Sequence, residues 1–134
     1  MGRILGIDYG DRRIGLALSD PLKMIASPFK TIPNTGNQES LKFIIEDQGI
    51  ESIVVGLPLG LKGQDTAQTE KVREYAHSLA ELNCPVFLED ERLTSVSAQK
   101  SMIEQNIKTG YNKGIIDERA AAILLQQFLD KQQR

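Results

Sequence analysis

Apolar and polar positions along the 134-residue chain follow two periods in turn. In the first third the period is two. Ile4, Leu5 and Ile7 make a short apolar run from Arg3 to Asp8 that reads as a buried strand, and Ile14, Leu16 and Leu18 alternate with Gly15, Ala17 and Ser19 in a second. Tyr9-Gly10-Asp11-Arg12 supplies a hairpin turn between them. A third strand is predicted from Met24 to Thr31. Pro28 lies inside it and has no N–H for a ladder, so this strand belongs at a sheet edge or carries a bulge. The period then lengthens. Leu41, Ile44 and Ile45 mark one face of a helix from about Gln38, closed by Gly49. Ser52 to Val55 is the next strand, running into Gly56-Leu57-Pro58. A helix from about Asp65 to Leu82 turns Val72, Tyr75, Ala76 and Leu79 inward, and Val86 to Leu88 is a further strand with a buried interior. A short helix from about Thr94 and a last one from about Asp117 follow. The order predicts an α/β chain: a mixed five-stranded sheet, first an antiparallel meander and then parallel strands joined by helical crossovers.

The length suits a single domain over residues 1–134. With 40% hydrophobic and 25% charged residues, no membrane-length apolar run and no basic-then-apolar leader at Met1, a soluble cytoplasmic protein is expected. Cys84 has no partner for an internal disulfide and precedes Pro85 and an apolar run, the setting of a small packing residue. A net charge of −2 gives no general attraction to nucleic acid, so such a partner must be met by local arginine and lysine clusters. Leu59 to Gln64 and Asn106 to Gly114 read as irregular loops near one end of the sheet, where substrate contacts are usually found.

The candidate chemistry is carried by acids that end elements. Asp8 terminates the first apolar strand. An aspartate there ordinarily serves the turn, but Asp11 already supplies that chemistry. Asp8 also lies two residues after Gly6, on the same side of the strand, where a missing side chain leaves room for an ion or a phosphate. Glu89-Asp90-Glu91-Arg92 closes the strand at Val86 to Leu88; it is either a solvated charge run or a cluster at a strand end, with Thr94 behind it as an N-cap. Asp117 opens the last helix, before Ala120, Ala121 and Ala122, as a cap and as a third acid brought toward the strand ends by close alanine packing. Oxygen donors from separate elements suit a hard divalent cation better than zinc. His77, the only histidine, lies mid-helix and reads as a surface residue.

These segments resemble one family as a set. Gly6-Ile7-Asp8-Tyr9-Gly10, Arg13-Ile14-Gly15-Leu16-Ala17-Leu18-Ser19-Asp20, Gly56-Leu57-Pro58-Leu59 with Gly63, Asp90-Glu91-Arg92-Leu93-Thr94, and Asp117 with Ala120-Ala121 and Ile123-Leu124 are similar, in this order and spacing, to the YqgF family. The resemblance spans almost the whole chain. It implies an RNase H-like three-layer fold, related to the Holliday-junction resolvase RuvC, and nuclease activity at the 5′ end of pre-16S rRNA during ribosome biogenesis, or resolvase activity in DNA repair. It implies Asp8, Glu91 and Asp117 as catalytic residues binding one or two Mg²⁺ or Mn²⁺ ions. Relative to RuvC, the acid expected after the first helix is missing, because that strand ends in Gly56-Leu57-Pro58; Glu91 stands one strand later, with Asp90 as its substitute. Arg12, Arg13, Arg92, Lys108, Lys113 and Arg119 are candidates for phosphate contacts. Monomer and homodimer both remain open.

Two readings from other classes stand beside this one. Gly6 to Gly10 also resembles the phosphate motif of the actin, sugar-kinase and Hsp70 superfamily, which closes two domains over a nucleotide where this length supplies one. A non-catalytic ribosome-assembly module would keep the fold without the acids' purpose, since idle carboxylates beside a phosphate groove only repel it.

Overall fold

The computed structural model describes residues 2–91 and 113–132. The strands are β1 (Arg3–Tyr9), β2 (Arg13–Ser19), β3 (Ala26–Pro33), β4 (Ile50–Leu57) and β5 (Val86–Asp90); the helices are α1 (Gln38–Gln48), α2 (Ala67–Ser78) and α3 (Lys113–Gln132), with a 3-10 turn at Leu79–Leu82. Spatial order is β3-β2-β1-β4-β5. The β1, β2 and β3 pairings are antiparallel and β4 runs parallel to both β1 and β5, which is the mixed sheet expected from the sequence.

Local chemistry sets where the elements end. β3 begins two residues later than expected, because Asp20 Oδ1 accepts the main-chain N–H groups of Met24 (2.7 Å) and Ile25 (2.9 Å). Those residues are tied into a turn, and pairing starts only at Ala26 opposite Ser19. β3 is an edge strand, and its register with β2 slips between Leu16↔Lys30 and Ala17↔Pro28, which is where a proline can be accommodated. α1 closes on Gly49 in the left-handed region (φ 64°), whose N–H bonds the Ile45 carbonyl. α2 starts after Thr66 instead of at Asp65: Thr66 and Thr69 cap each other's backbone N–H groups, and Asp65 pairs with Arg73.

Alternation along the strands gives the sheet two apolar faces. One bears Leu5, Ile7, Ile14, Leu16, Ile53 and Val55 and is covered by Leu41 and Ile44 of α1, Val72 and Ala76 of α2, and Leu79 of the 3-10 turn. The other bears Ile4, Ala17 and Val54 and is covered by Ala121, Leu125, Phe128 and Leu129 of α3. The result is three layers. Cys84 packs against the first core, its thiol 3.7 Å from the Ile50 carbonyl, and burial pushes that thiol's pKa up. His77 is exposed on α2, as expected.

Three expectations fail here. β5 is not a buried strand: it lies at the sheet edge, where Phe87 and Leu88 are 46% and 40% exposed, although Phe87 still stacks on Phe128 at 5.6 Å. The space beside Gly6 is not open to an ion. A Cβ there would stand 2.9 Å from the Leu125 Cβ and 3.2 Å from the Ala121 carbonyl, so the glycine admits α3 instead. Asp117 is not a helix cap, because α3 already begins at Lys113 and Asp117 sits in its second turn. The short helix expected from Thr94 lies outside the described residues. Among the described residues no helix is long and apolar enough to cross a membrane.

Candidate active site

The face under α3 collects the acids. Asp8 pairs directly with Gly15 across β1 and β2, and residues opposite each other in an antiparallel pair point to the same side. Gly15 marks that side as the one under α3, because a Cβ on it would collide with the Asp117 main chain and lie 2.8 Å from the Glu118 nitrogen. The backbone of Asp117 therefore rests one cross-strand step from Asp8. Both aspartates are buried, at 8% and 9% exposure. Buried charges of this kind require partners. For Asp117 one is Arg13, whose Nε–H donates to Oδ2 at 2.8 Å.

Glu91 reaches the same face by a different route. Gly56, near the end of β4, pairs with Glu89 of β5, and Glu91, one residue past the end of that strand, lays its side chain over the same glycine. A Cβ on Gly56 would lie 2.9 Å from the Glu91 Cδ and 2.8 Å from the Leu124 Cδ2. The strand end that carries no acid of its own thus receives the carboxylate of its neighbour. Asp90 pairs with Leu57, which belongs to the core under α1 and α2, so it faces the opposite side from Asp8.

Glu89 is a buried acid on the α3 side that the sequence reading left within a charge run. It is 5% exposed and accepts from Gln127 Nε2 (2.7 Å) and Lys131 Nζ (2.8 Å), which fasten α3 to the edge strand. On the other face, the turn after Asp8 is held by a relay: Tyr75 Oη donates to Asn37 Oδ1 (3.1 Å), Asn37 Nδ2 to Asn34 Oδ1 (3.1 Å), and Asn34 Nδ2 to the Gly10 carbonyl (2.7 Å). Burial raises the Tyr75 hydroxyl's pKa well above its ordinary value, with the neighbouring Tyr9 adding to the shift, so it remains a donor.

Residues 2–131 match the family model RuvX, described as Holliday junction resolvase. The chain belongs to the RuvX family. This is the YqgF family that the sequence motifs resemble. Full-length relatives of similar size agree: proteins named "Putative pre-16S rRNA nuclease" are 44% identical in Roseiflexus sp. strain RS-1, over 98% of this chain and 96% of the relative, and 41% identical in Clostridium kluyveri, over 96% and 97%. Among solved structures, Thermus thermophilus RuvC in complex with a Holliday junction superposes with a TM-score of 0.61 at 13% identity, covering 99% of this chain and 96% of that one. At that identity the likeness establishes the RNase H-like fold.

Within this RuvX chain the cationic residues are spread unevenly around the acids. Arg13 is on the acid-bearing face, and Arg12 is exposed in the turn beside it. Arg119 is exposed on α3, while Asp117, Ala120 and Ala121 of the same helix are buried against the sheet, so it is turned away from the carboxylates. Arg92, Lys108 and the side chain of Lys113 lie outside the described residues. Among the described residues no three acidic, histidine or cysteine side chains converge on one point closely enough to hold a metal ion. The donor chemistry nevertheless suits a hard cation: carboxylate oxygens from β1, α3 and the end of β5 share one face, and the only histidine and cysteine are elsewhere. The Arg13–Asp117 pair was missed in the sequence. Its available signal was position, since Arg13 stands two residues before Gly15 and hence on the side of Asp8.

Proposed function

We propose that this chain is a single-domain cytoplasmic nuclease that hydrolyses phosphodiester bonds of nucleic acid, with the 5′ end of pre-16S rRNA as its substrate. The observation that carries this reading is that Asp8 and Asp117, buried acids from the first strand and the α3 helix, meet on one face of the sheet one cross-strand step apart. Membership of a family whose relatives are named as nucleases supports it.

Asp8, Glu91 and Asp117 would hold one or two Mg²⁺ or Mn²⁺ ions. Such an ion supplies Lewis acidity toward the phosphodiester and lowers the pKa of a bound water. The chain's own residues do the rest. β1, β2 and α3 fix the two aspartates through main-chain packing at Gly15, and Glu91 fills the space over Gly56. Arg12, Arg13, Arg92, Lys108 and Lys113 are the candidates for phosphate contacts, which position the strand without reading its bases, whereas Arg119 is turned away from the acids. An acidic face binds a polyanion only once its charge is offset, so affinity should fall steeply without a divalent cation and with rising salt.

The test compares RNA carrying the 5′ end of pre-16S rRNA with a four-way DNA junction, both with Mn²⁺, together with the mass of the protein in solution. Faster cleavage of the RNA is expected. Preferential symmetric cutting of the junction by a dimer would replace this substrate with the resolvase one.

A further inference from the structure

Arg13 and Asp117 lie 104 residues apart, and the pair they form joins the first residue of β2 to the second turn of α3. The two ends of the pair differ in their surroundings. The Arg13 side chain is 37% exposed, whereas that of Asp117 is 12% exposed. The guanidinium is therefore the end that can move into water. It stands on the face that bears Asp8, two residues along β2 from Gly15, the cross-strand partner of Asp8. We propose that Arg13 is an exchangeable counter-ion: it neutralises Asp117 in the free protein and passes to a phosphate of the nucleic acid when a divalent cation takes over the charge of that carboxylate. This rests on the reading of Asp117 as a cation-binding residue.

Three arguments favour exchange over a pair that only fastens α3 to β2. A buried carboxylate is costly without compensation, and Arg13 supplies part of it to Asp117 before a cation arrives. A guanidinium and a divalent cation repel each other when both crowd one partly desolvated carboxylate, so arrival of the second weakens the hold of the first. A guanidinium let go at that rim has its planar fork ready for phosphate oxygens, the ligand geometry to which arginine is best matched. Linkage then makes the effect reciprocal: the cation raises affinity for nucleic acid, and nucleic acid raises affinity for the cation by the same factor.

The experiment titrates Mn²⁺ by calorimetry into wild type, Arg13→Gln and Asp117→Asn, and measures binding of a hydrolysis-resistant phosphorothioate RNA duplex with and without Mn²⁺. Arg13→Gln is expected to bind Mn²⁺ about five- to tenfold more tightly than wild type, because its competitor is gone. Without Mn²⁺ the two should bind RNA equally; with saturating Mn²⁺ the variant should bind it about fivefold more weakly. Arg13→Lys retains a cation, should fall between the two, and serves the same comparison if Arg13→Gln does not fold. Mn²⁺ affinity equal to or below the wild type's in Arg13→Gln, or an RNA defect independent of Mn²⁺, overturns the exchange while leaving the metal site standing. Absence of Mn²⁺ binding to wild type overturns the site reading and the exchange together.

Discussion

Gly15 lies directly beneath the main chain of Asp117, close enough that a Cβ on the glycine would collide with the Asp117 carbonyl. This contact fixes the depth at which α3 sits on the sheet, and it does so opposite Asp8. Structure and site thus share one close approach. Ala120, Ala121 and Gly6 extend it along the helix, where larger residues would lift α3 away.

Gly15→Ala should therefore act on both stability and activity. Adding a methyl group to a closed contact formed by backbone atoms, which cannot rotate aside, is expected to cost about 1–3 kcal/mol. Urea unfolding should show the midpoint falling with little change in slope, and cleavage should fall further than stability alone explains. A variant with wild-type stability would show that α3 has room to shift.

The Asp20 carboxylate is held below the usual carboxylate range, mainly by the N–H of Ile25 and then by that of Met24. Because the folded pKa is the lower one, the stabilisation is present above the unfolded value of about 3.9 and is lost as pH falls through the folded value. Asp20→Asn should be less stable than wild type at neutral pH, and the two denaturation midpoints should converge below about pH 4. Parallel curves at all pH values would remove Asp20 from the acid response.

The sheet register separates the adjacent acids. Glu91→Gln should lower cleavage by more than about 100-fold, the scale expected when a metal-site carboxylate is altered, while Asp90→Asn should leave it within a few-fold of wild type. The comparison is made on single-turnover rates at saturating Mn²⁺. The reverse ranking would mean that Asp90 is the site carboxylate.

Much of the frame was legible because its signals are local. Gly49 ends α1, Pro28 sits at an edge strand with a register slip, and Val72 and Ala76 of α2 and Leu79 of the following turn face inward, each for reasons contained within a few residues. What escaped the sequence depends on contacts between distant segments. Gly6 resembled space for an ion because nothing nearby in sequence fills it; Leu125 does. Asp117 resembled a cap because the residues ahead of it carry weak helical signals, yet α3 is held by burial of Ile116, Ala120, Ala121 and Leu124 along one stripe. The same limit hid the partners of Glu89 and the hold of Arg13 on Asp117. The acids themselves were visible as strand and helix termini, and the sheet register adds which of them share a face.

The most direct measurement is the single-turnover cleavage rate of Asp8→Asn against wild type, on RNA carrying the 5′ end of pre-16S rRNA with saturating Mn²⁺, each protein shown to be folded by its thermal melt. Asn keeps the size of the side chain and removes its charge, so a loss of more than about 100-fold with the fold intact is the expected result. Equal rates would mean that the cleavage comes from elsewhere, and would contradict Asp8 as a member of the site.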